Sequence, residues 1–361
     1  MELSVASGAA ALHSEPGRGY ASRPPFTQGK LNMANVLPTA DDVRAASTRL
    51  RSRIKPSAVL ESEELNRRAG CRVLIKAESL QYGGSFKIRG ALNGLLSLGP
   101  SQRRAGVVTY SSGNHAQGVA IAAGWLGMRA TIVMPEDAPR IKRLGTERAG
   151  ARVVPYDRHK DERERIGADL AARTGAAVLP PFDHPDIISG QGTVGLEIAR
   201  FARDSGMQLE ALYCPCGGGG LIAGSALAVS SIFPECAIFA VEPKEYAETK
   251  RSLESGRRQR ISGYPPTICD ALMAPAPGEV TFTINRRLLA GGLVVTDTQA
   301  AQGVAFAAKY LKLVLEPSGA VALAALLDGA AAGRACVAVV LSGANIDPER
   351  LCEILARYPD P

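Results

Sequence analysis

The feature that most restricts the fold of this chain is an alternation. Short apolar runs at 72–76, 106–110, 130–134, 152–156, 177–179, 211–214, 237–242 and 336–341 read as strands, and amphipathic or alanine-rich helical stretches lie between them. Parallel neighbours need a crossover, usually a helix. The alternation therefore predicts an α/β protein with parallel sheet and helices on both faces. Open sheets of this kind bind ligands beyond the carboxyl ends of their strands, so the residues that follow each run carry the functional information.

Two of those segments carry chemistry. After the run at 211–214, Pro215 and Cys216 lead into Gly217, Gly218, Gly219, Gly220 and Leu221, and then into a small-residue helical run at 225–229. A strand, four glycines and a helix form a nest of backbone N–H groups facing a helix dipole, which is an anion site and most often a phosphate site. The spacing matches neither a dinucleotide fingerprint nor a P-loop, so a small phosphate monoester fits. The second segment is 85–91, after Gly83 and Gly84. Ile88, Ala91, Leu92, Leu95 and Leu96 have helix spacing, which places Lys87 at a helix start. Free N–H groups there disfavour a cation, so Lys87, between Phe86 and Ile88, is expected to have a lowered pKa and a nucleophilic amine. On this heptapeptide alone a surface lysine explains the pattern equally well. An imine-forming amine and a phosphate cup together suggest one cofactor with an aldehyde and a phosphate, pyridoxal 5′-phosphate.

At this point five motifs stand in a familiar order: SFKIRGA at 85–91, SSGNHAQG at 111–118, CGGGGL at 216–221, EPSGA at 316–320 and LSGANID at 341–347. Across residues 39–358 the chain resembles fold-type II pyridoxal-phosphate enzymes, in particular serine/threonine dehydratases and serine racemases. The resemblance implies a tryptophan synthase β-like fold, with two open parallel-sheet domains and the site between them. It places a small inserted domain at 107–183 and a large cofactor-binding domain at 39–106 and 184–361, and it implies a homodimer or homotetramer. Residues 1–38, rich in Gly, Ser, Ala and Pro, read as a disordered tail.

Residue by residue, the resemblance implies that Lys87 is the Schiff-base lysine and general base, that Phe86 supports the ring, and that the amides of Gly217, Gly218, Gly219, Gly220 and Leu221 hold the phosphate. Ser342 would face the pyridine nitrogen. A neutral hydroxyl there, in place of an aspartate, favours prompt loss of a β-substituent over a long-lived carbanion. Ser111, Ser112, Gly113, Asn114 and His115 would grip the substrate carboxylate, with Asn114 on the cofactor's ring oxygen. Read as plain sequence, that loop is also an ordinary strand-to-helix turn. Ser112 stands where serine racemases carry an opposite-face acid/base. Ala344 departs from the family's usual second glycine. Glu242, the carbonyl of Tyr246 and Glu248 resemble the spacing of a divalent-metal site, whose oxygen ligands would suit Mg²⁺ or Ca²⁺; a solvated acidic turn is the competing reading.

The function expected is that of an ammonia-lyase (dehydratase) that eliminates water from L-threonine or L-serine and gives 2-oxobutanoate or pyruvate with ammonia. The alternatives are a serine or hydroxyaspartate racemase, an ammonia-lyase for 3-hydroxyaspartate or another β-hydroxy amino acid, a sulfide-using synthase, and a cofactor-binding regulator. No arginine in the motifs is assigned to a second substrate carboxylate, which counts against hydroxyaspartate.

Composition sets outer bounds. The net charge is +7, but aromatics make up only 5% and the basic runs are short and lack interleaved aromatics, which argues against a nucleic-acid partner. No run reaches the roughly 18 apolar residues of a membrane span. Seven scattered cysteines without zinc-like spacing point to a reducing, cytoplasmic setting.

Overall fold

A computed structural model of the protein describes residues 37–360. The tail expected at 1–38 lies outside the described residues except for Leu37 and Pro38. Among the described residues ten strands form two sheets within one compact unit. They are β1 (Val59–Leu60), β2 (Arg72–Ala77), β3 (Val107–Tyr110), β4 (Ala130–Pro135), β5 (Arg152–Tyr156), β6 (Ala177–Val178), β7 (Ala211–Pro215), β8 (Ala237–Pro243), β9 (Gly291–Val295) and β10 (Cys336–Leu341). The larger sheet has the order β1-β2-β10-β7-β8-β9, and the smaller has β5-β4-β3-β6. Every pairing is parallel except β1 with β2. The α/β reading and all eight apolar runs therefore hold. Two strands were not visible as runs: β1 has only two residues, and the first two residues of β9 are glycines.

The central strands are apolar on both faces because both faces are covered. On β2 and β10, Val73, Ile75, Val337 and Val339 pack with Val304, Phe306 and Leu323 on one side. The alternate residues Leu74, Ala338 and Val340 pack on the other side with Ile198, Ile222 and Val229. That is the period-2 pleat read directly as two cores. Helices Pro185–Asp204 and Gly220–Ser230 touch at Gly192 and Gly224, where a Cβ on either would lie 2.6 Å from the other's backbone. Helix Lys87–Ser97 joins the two sheets: it follows β2, yet its Ile88 and Leu92 pack with Val107, Ile132 and Val119 of the four-stranded side. The carboxyl ends of β2, β3, β7 and β10 lead into the segments that line one cleft. Among the described residues no helix is long and apolar enough to cross a membrane, and all seven cysteines are free.

Candidate active site

The start of the lysine helix is stitched to the end of β10. The Phe86 N–H donates to Ser342 O (3.2 Å), Ser85 bridges Gly343, and the Ala344 N–H donates to Gly84 O (2.8 Å). This pairing brings Lys87 and Ser342 into the same cleft wall although 255 positions separate them. The Lys87 Nζ donates to Pro181 O (3.0 Å) and lies 5.2 Å from the centre of the Phe86 ring. Burial pushes the ammonium down to about 8, against the opposing pull of Glu316. The expected lowering is present, but its leading cause is loss of water rather than the helix start.

Two residues further on, Arg89 anchors the helix. It is 1% exposed and makes two hydrogen bonds to Glu78 (2.8 Å each) and two to Glu197 (2.6 and 2.9 Å). Lys76 on β2 completes the cluster, 2.6 Å from Glu197.

Gly217, Gly218, Gly219, Gly220 and Leu221 line the cleft directly across the end of β7. Gly219 has φ +93°, which only glycine adopts without strain, and it begins the helix Gly220–Ser230. A Cβ on Gly218 would lie 2.4 Å from the Phe182 ring. The Gly218 carbonyl is held by the Thr281 hydroxyl (2.7 Å) and the Gly278 N–H (3.2 Å). The Ala223 N–H donates to Gly219 O (2.9 Å), so the amides ahead of it are the free donors of a helix start, suited to a phosphate.

Ser111, Ser112, Gly113, Asn114 and His115 follow β3 and all line the same cleft; the helix Asn114–Trp125 begins within the loop. The Asn114 amide is fixed at both ends. Its Nδ2 donates to Glu316 Oε1 (2.5 Å), and its Oδ1 accepts from Asn345 Nδ2 (2.8 Å). Among the described residues the second amide hydrogen of Asn114 has no acceptor, which leaves it for a ligand. The His115 Nε2 sits 3.4 Å from Leu179 O, an acceptor only, so Nε2 carries the proton and Nδ1 is a free acceptor among the described residues. Burial, with Lys87 nearby, lowers the imidazole pKa to about 3, so the ring is neutral.

Glu242, Tyr246 and Glu248 do not line this cleft. Both Glu242 oxygens accept backbone N–H groups, from Thr249 and Lys250 (2.8 Å each), which caps the helix Glu248–Ser255. Glu248 is fully buried, and its carboxyl oxygens have no hydrogen-bond partner from another described residue. Burial and the neighbouring Glu242 push its pKa to about 10. The turn is thus buried rather than solvated, and the orphaned carboxyl is a donor that a divalent cation fits. Among the described residues no three His, Cys, Asp or Glu side chains converge as a metal cluster, so a cation there would need backbone oxygens.

Several lining residues were not singled out in the sequence. Arg158 and Arg163, just beyond β5, face the cleft together with Tyr110, Tyr156 and Tyr264. Arg158 is held by Asp137 (2.6 Å) and Arg163 by Glu164 (2.9 Å), and the guanidinium of Arg163 lies over the Tyr110 ring at 5.6 Å. Glu316, the first residue of EPSGA, is 1% exposed and lies 2.7 Å from the ammonium of Lys142.

Similarity to known proteins identifies the family. The family model described as "Pyridoxal-phosphate dependent enzyme" matches residues 50–343. The chain is 41% identical over 326 residues to the L-threo-3-hydroxyaspartate ammonia-lyase of Saccharomyces cerevisiae, covering 90% of this chain and 98% of that one. It is 38% identical to the serine racemase of Schizosaccharomyces pombe, covering 89% and 98%. Among solved structures, maize serine racemase superposes with a TM-score of 0.83 at 33% identity, covering 90% of this chain and 98% of that chain.

Proposed function

Since the chain belongs to the family of pyridoxal-phosphate dependent enzymes, we propose that it is an ammonia-lyase that removes water from a β-hydroxy-α-amino acid, with 3-hydroxyaspartate as its preferred substrate. The observation that carries the reading is one cleft lined by a lysine amine shifted to about 8, a cradle of free amides, and two arginines.

Pyridoxal phosphate, when bound, supplies the electron sink that acidifies the α-proton. The amides of Gly217 to Leu221 bind its phosphate, and Asn114 and Ser342 orient its ring. The Nζ of Lys87 takes the α-proton, a role a neutral amine can fill near pH 8. The loop 111–115 presents N–H groups at a helix start to the substrate's α-carboxylate. Neutral His115 offers Nδ1 as an acceptor. Loss of the β-hydroxyl as water, then addition of water at the α-carbon with release of the amine, gives a 2-oxo acid and ammonia.

The expectation of threonine or serine rested on Lys87, the glycine turn and Ser342 within motifs that resemble serine/threonine dehydratases, and the lack of a motif arginine for a second carboxylate counted against hydroxyaspartate. Arg158 and Arg163 supply two, at the cleft rather than in the motifs. Two relatives, 41% and 40% identical, are L-threo-3-hydroxyaspartate ammonia-lyases. The test is a panel of L-threo-3-hydroxyaspartate, L-threonine and L-serine with detection of oxaloacetate, 2-oxobutanoate or pyruvate. Hydroxyaspartate is expected to have the highest kcat/KM. Arg163→Ala is expected to lower it by about 10- to 100-fold, the worth of a charged hydrogen bond, and to spare threonine. A wild-type preference for threonine would overturn the substrate assignment.

A second reading, racemisation, is favoured by Ser112 lining the cleft. D-isomer formation that is lost in Ser112→Ala while elimination persists would establish it.

A further inference from the structure

Lys142 takes no part in the reaction just described, yet it is built into the site. It lies on helix Arg140–Arg148, between β4 and β5 on the four-stranded side, and is 0% exposed. Its ammonium is 2.5 Å from Asp270 and 2.7 Å from Glu316. Both carboxylates belong to the six-stranded side: Asp270 lies in the segment between helices Glu248–Ser255 and Glu279–Leu288, and Glu316 precedes helix Pro317–Leu327. The Lys142 stem lies against the loop expected to hold the α-carboxylate, where a Cβ on Gly113 would be 2.6 Å from its Cδ. Its helix is tied across a second time, by the Ile141 N–H to Asp347 (3.0 Å).

Stability alone gives little reason for this arrangement. A buried ion cluster is often no better than an apolar replacement of the same volume, whereas breaking it by removing one partner is costly. What the cluster does control is Glu316. That carboxylate is fully buried, accepts the Asn114 amide, and acts electrostatically on Lys87. Burial pushes the Glu316 pKa up and Lys142 opposes that; without the cation Glu316 would take up a proton more readily, and its O–H could then be set against the Asn114 N–H, donor facing donor.

We propose that Lys142 is a positioning residue: it keeps Glu316 ionised so that Glu316 orients Asn114, and it ties the loop 111–115 and the Asp270 wall into one rigid side of the cleft. The inference holds whichever β-hydroxy amino acid is turned over.

The test uses the holoenzyme and the variants Lys142→Met, Lys142→Arg, Glu316→Gln and Lys142→Met/Glu316→Gln. Three quantities are read: retention of pyridoxal phosphate on dialysis, KM and kcat for the best amino acid of the panel, and the thermal midpoint. Lys142→Met is expected to weaken cofactor retention and raise KM, each by about 10- to 100-fold, the range for a partner that orients a ligand-binding group. Adding Glu316→Gln is expected to restore much of both, because a neutral amide accepts from Asn114 without needing a cation. Lys142→Arg is expected to fall between wild type and Lys142→Met. If Lys142→Met fails to fold, the double variant still reports, since it leaves only Asp270 unpaired and that side chain is 29% exposed. The proposal is overturned if Lys142→Met lowers only the thermal midpoint, or if the double variant, in cofactor retention or KM, is as impaired as the two single effects summed.

Discussion

Lys87 shows how far burial alone can prepare a residue for chemistry. An ordinary lysine has about one part in 2,500 of its amine neutral at pH 7, whereas a pKa of about 8 leaves roughly a tenth neutral. Only the neutral amine attacks an aldehyde, so capture of the cofactor by stripped enzyme should rise with pH, reach half its maximum near pH 8, and level off above. Glu316 pulls the other way by favouring the ammonium. Glu316→Gln should therefore move the midpoint to lower pH. The measurement is the rate at which the bound chromophore returns across a pH series. A rate still climbing as pH 10 is approached would mean that Lys87 behaves as a solvated lysine. The residue itself was legible in the sequence; the reason for its reactivity was not, since the depth of a cleft is not written in seven residues.

At the scale of elements, the helix Lys87–Ser97 has to hold its first residue still while packing against two sheets. Arg89 does this by bonding Glu78, just past β2, and Glu197, on helix Pro185–Asp204. Glu78 is fully buried, and its next cation, Lys76, is 4.0 Å away. Removing Arg89 strands a buried carboxylate, so Arg89→Met is expected to cost about 3–5 kcal/mol in urea unfolding. Arg89→Lys should recover little, because one ammonium cannot make the four directed bonds of the guanidinium. A loss below about 1 kcal/mol for Arg89→Met would show that the core of Ile88, Leu92 and Leu95 suffices to seat the helix.

For the whole molecule, what could be read from the chain was what is local. The strand runs, the tetraglycine turn, the motif lysine and the Asn114 loop are each a few consecutive residues whose chemistry shows in their spacing. What could not be read was assembled by topology. Arg158 and Arg163 face the cleft only because β5 ends beside it, and Lys142 meets Asp270 across 128 positions. The cleft itself draws on both sheets: Lys87, the glycine turn and Ser342 come from the six-stranded side, and Ser111 to His115 from the four-stranded side. A cofactor bound there touches both, so its removal should destabilise both together rather than one alone. At free cofactor 100 times its Kd the stabilisation is about 2.7 kcal/mol. Trp125, the single tryptophan, ends the helix that Asn114 begins and packs edge-on against Tyr82 at 5.1 Å, so it reports on the four-stranded side where that side meets the segment after β2. Far-ultraviolet dichroism reports on the whole chain. Thermal midpoints from the two probes should coincide with cofactor bound and fall by the same amount when it is stripped. If stripping lowers the dichroism midpoint and leaves the Trp125 midpoint in place, the four-stranded side does not share in binding, and the placement of Asn114 beside the cofactor ring falls with it.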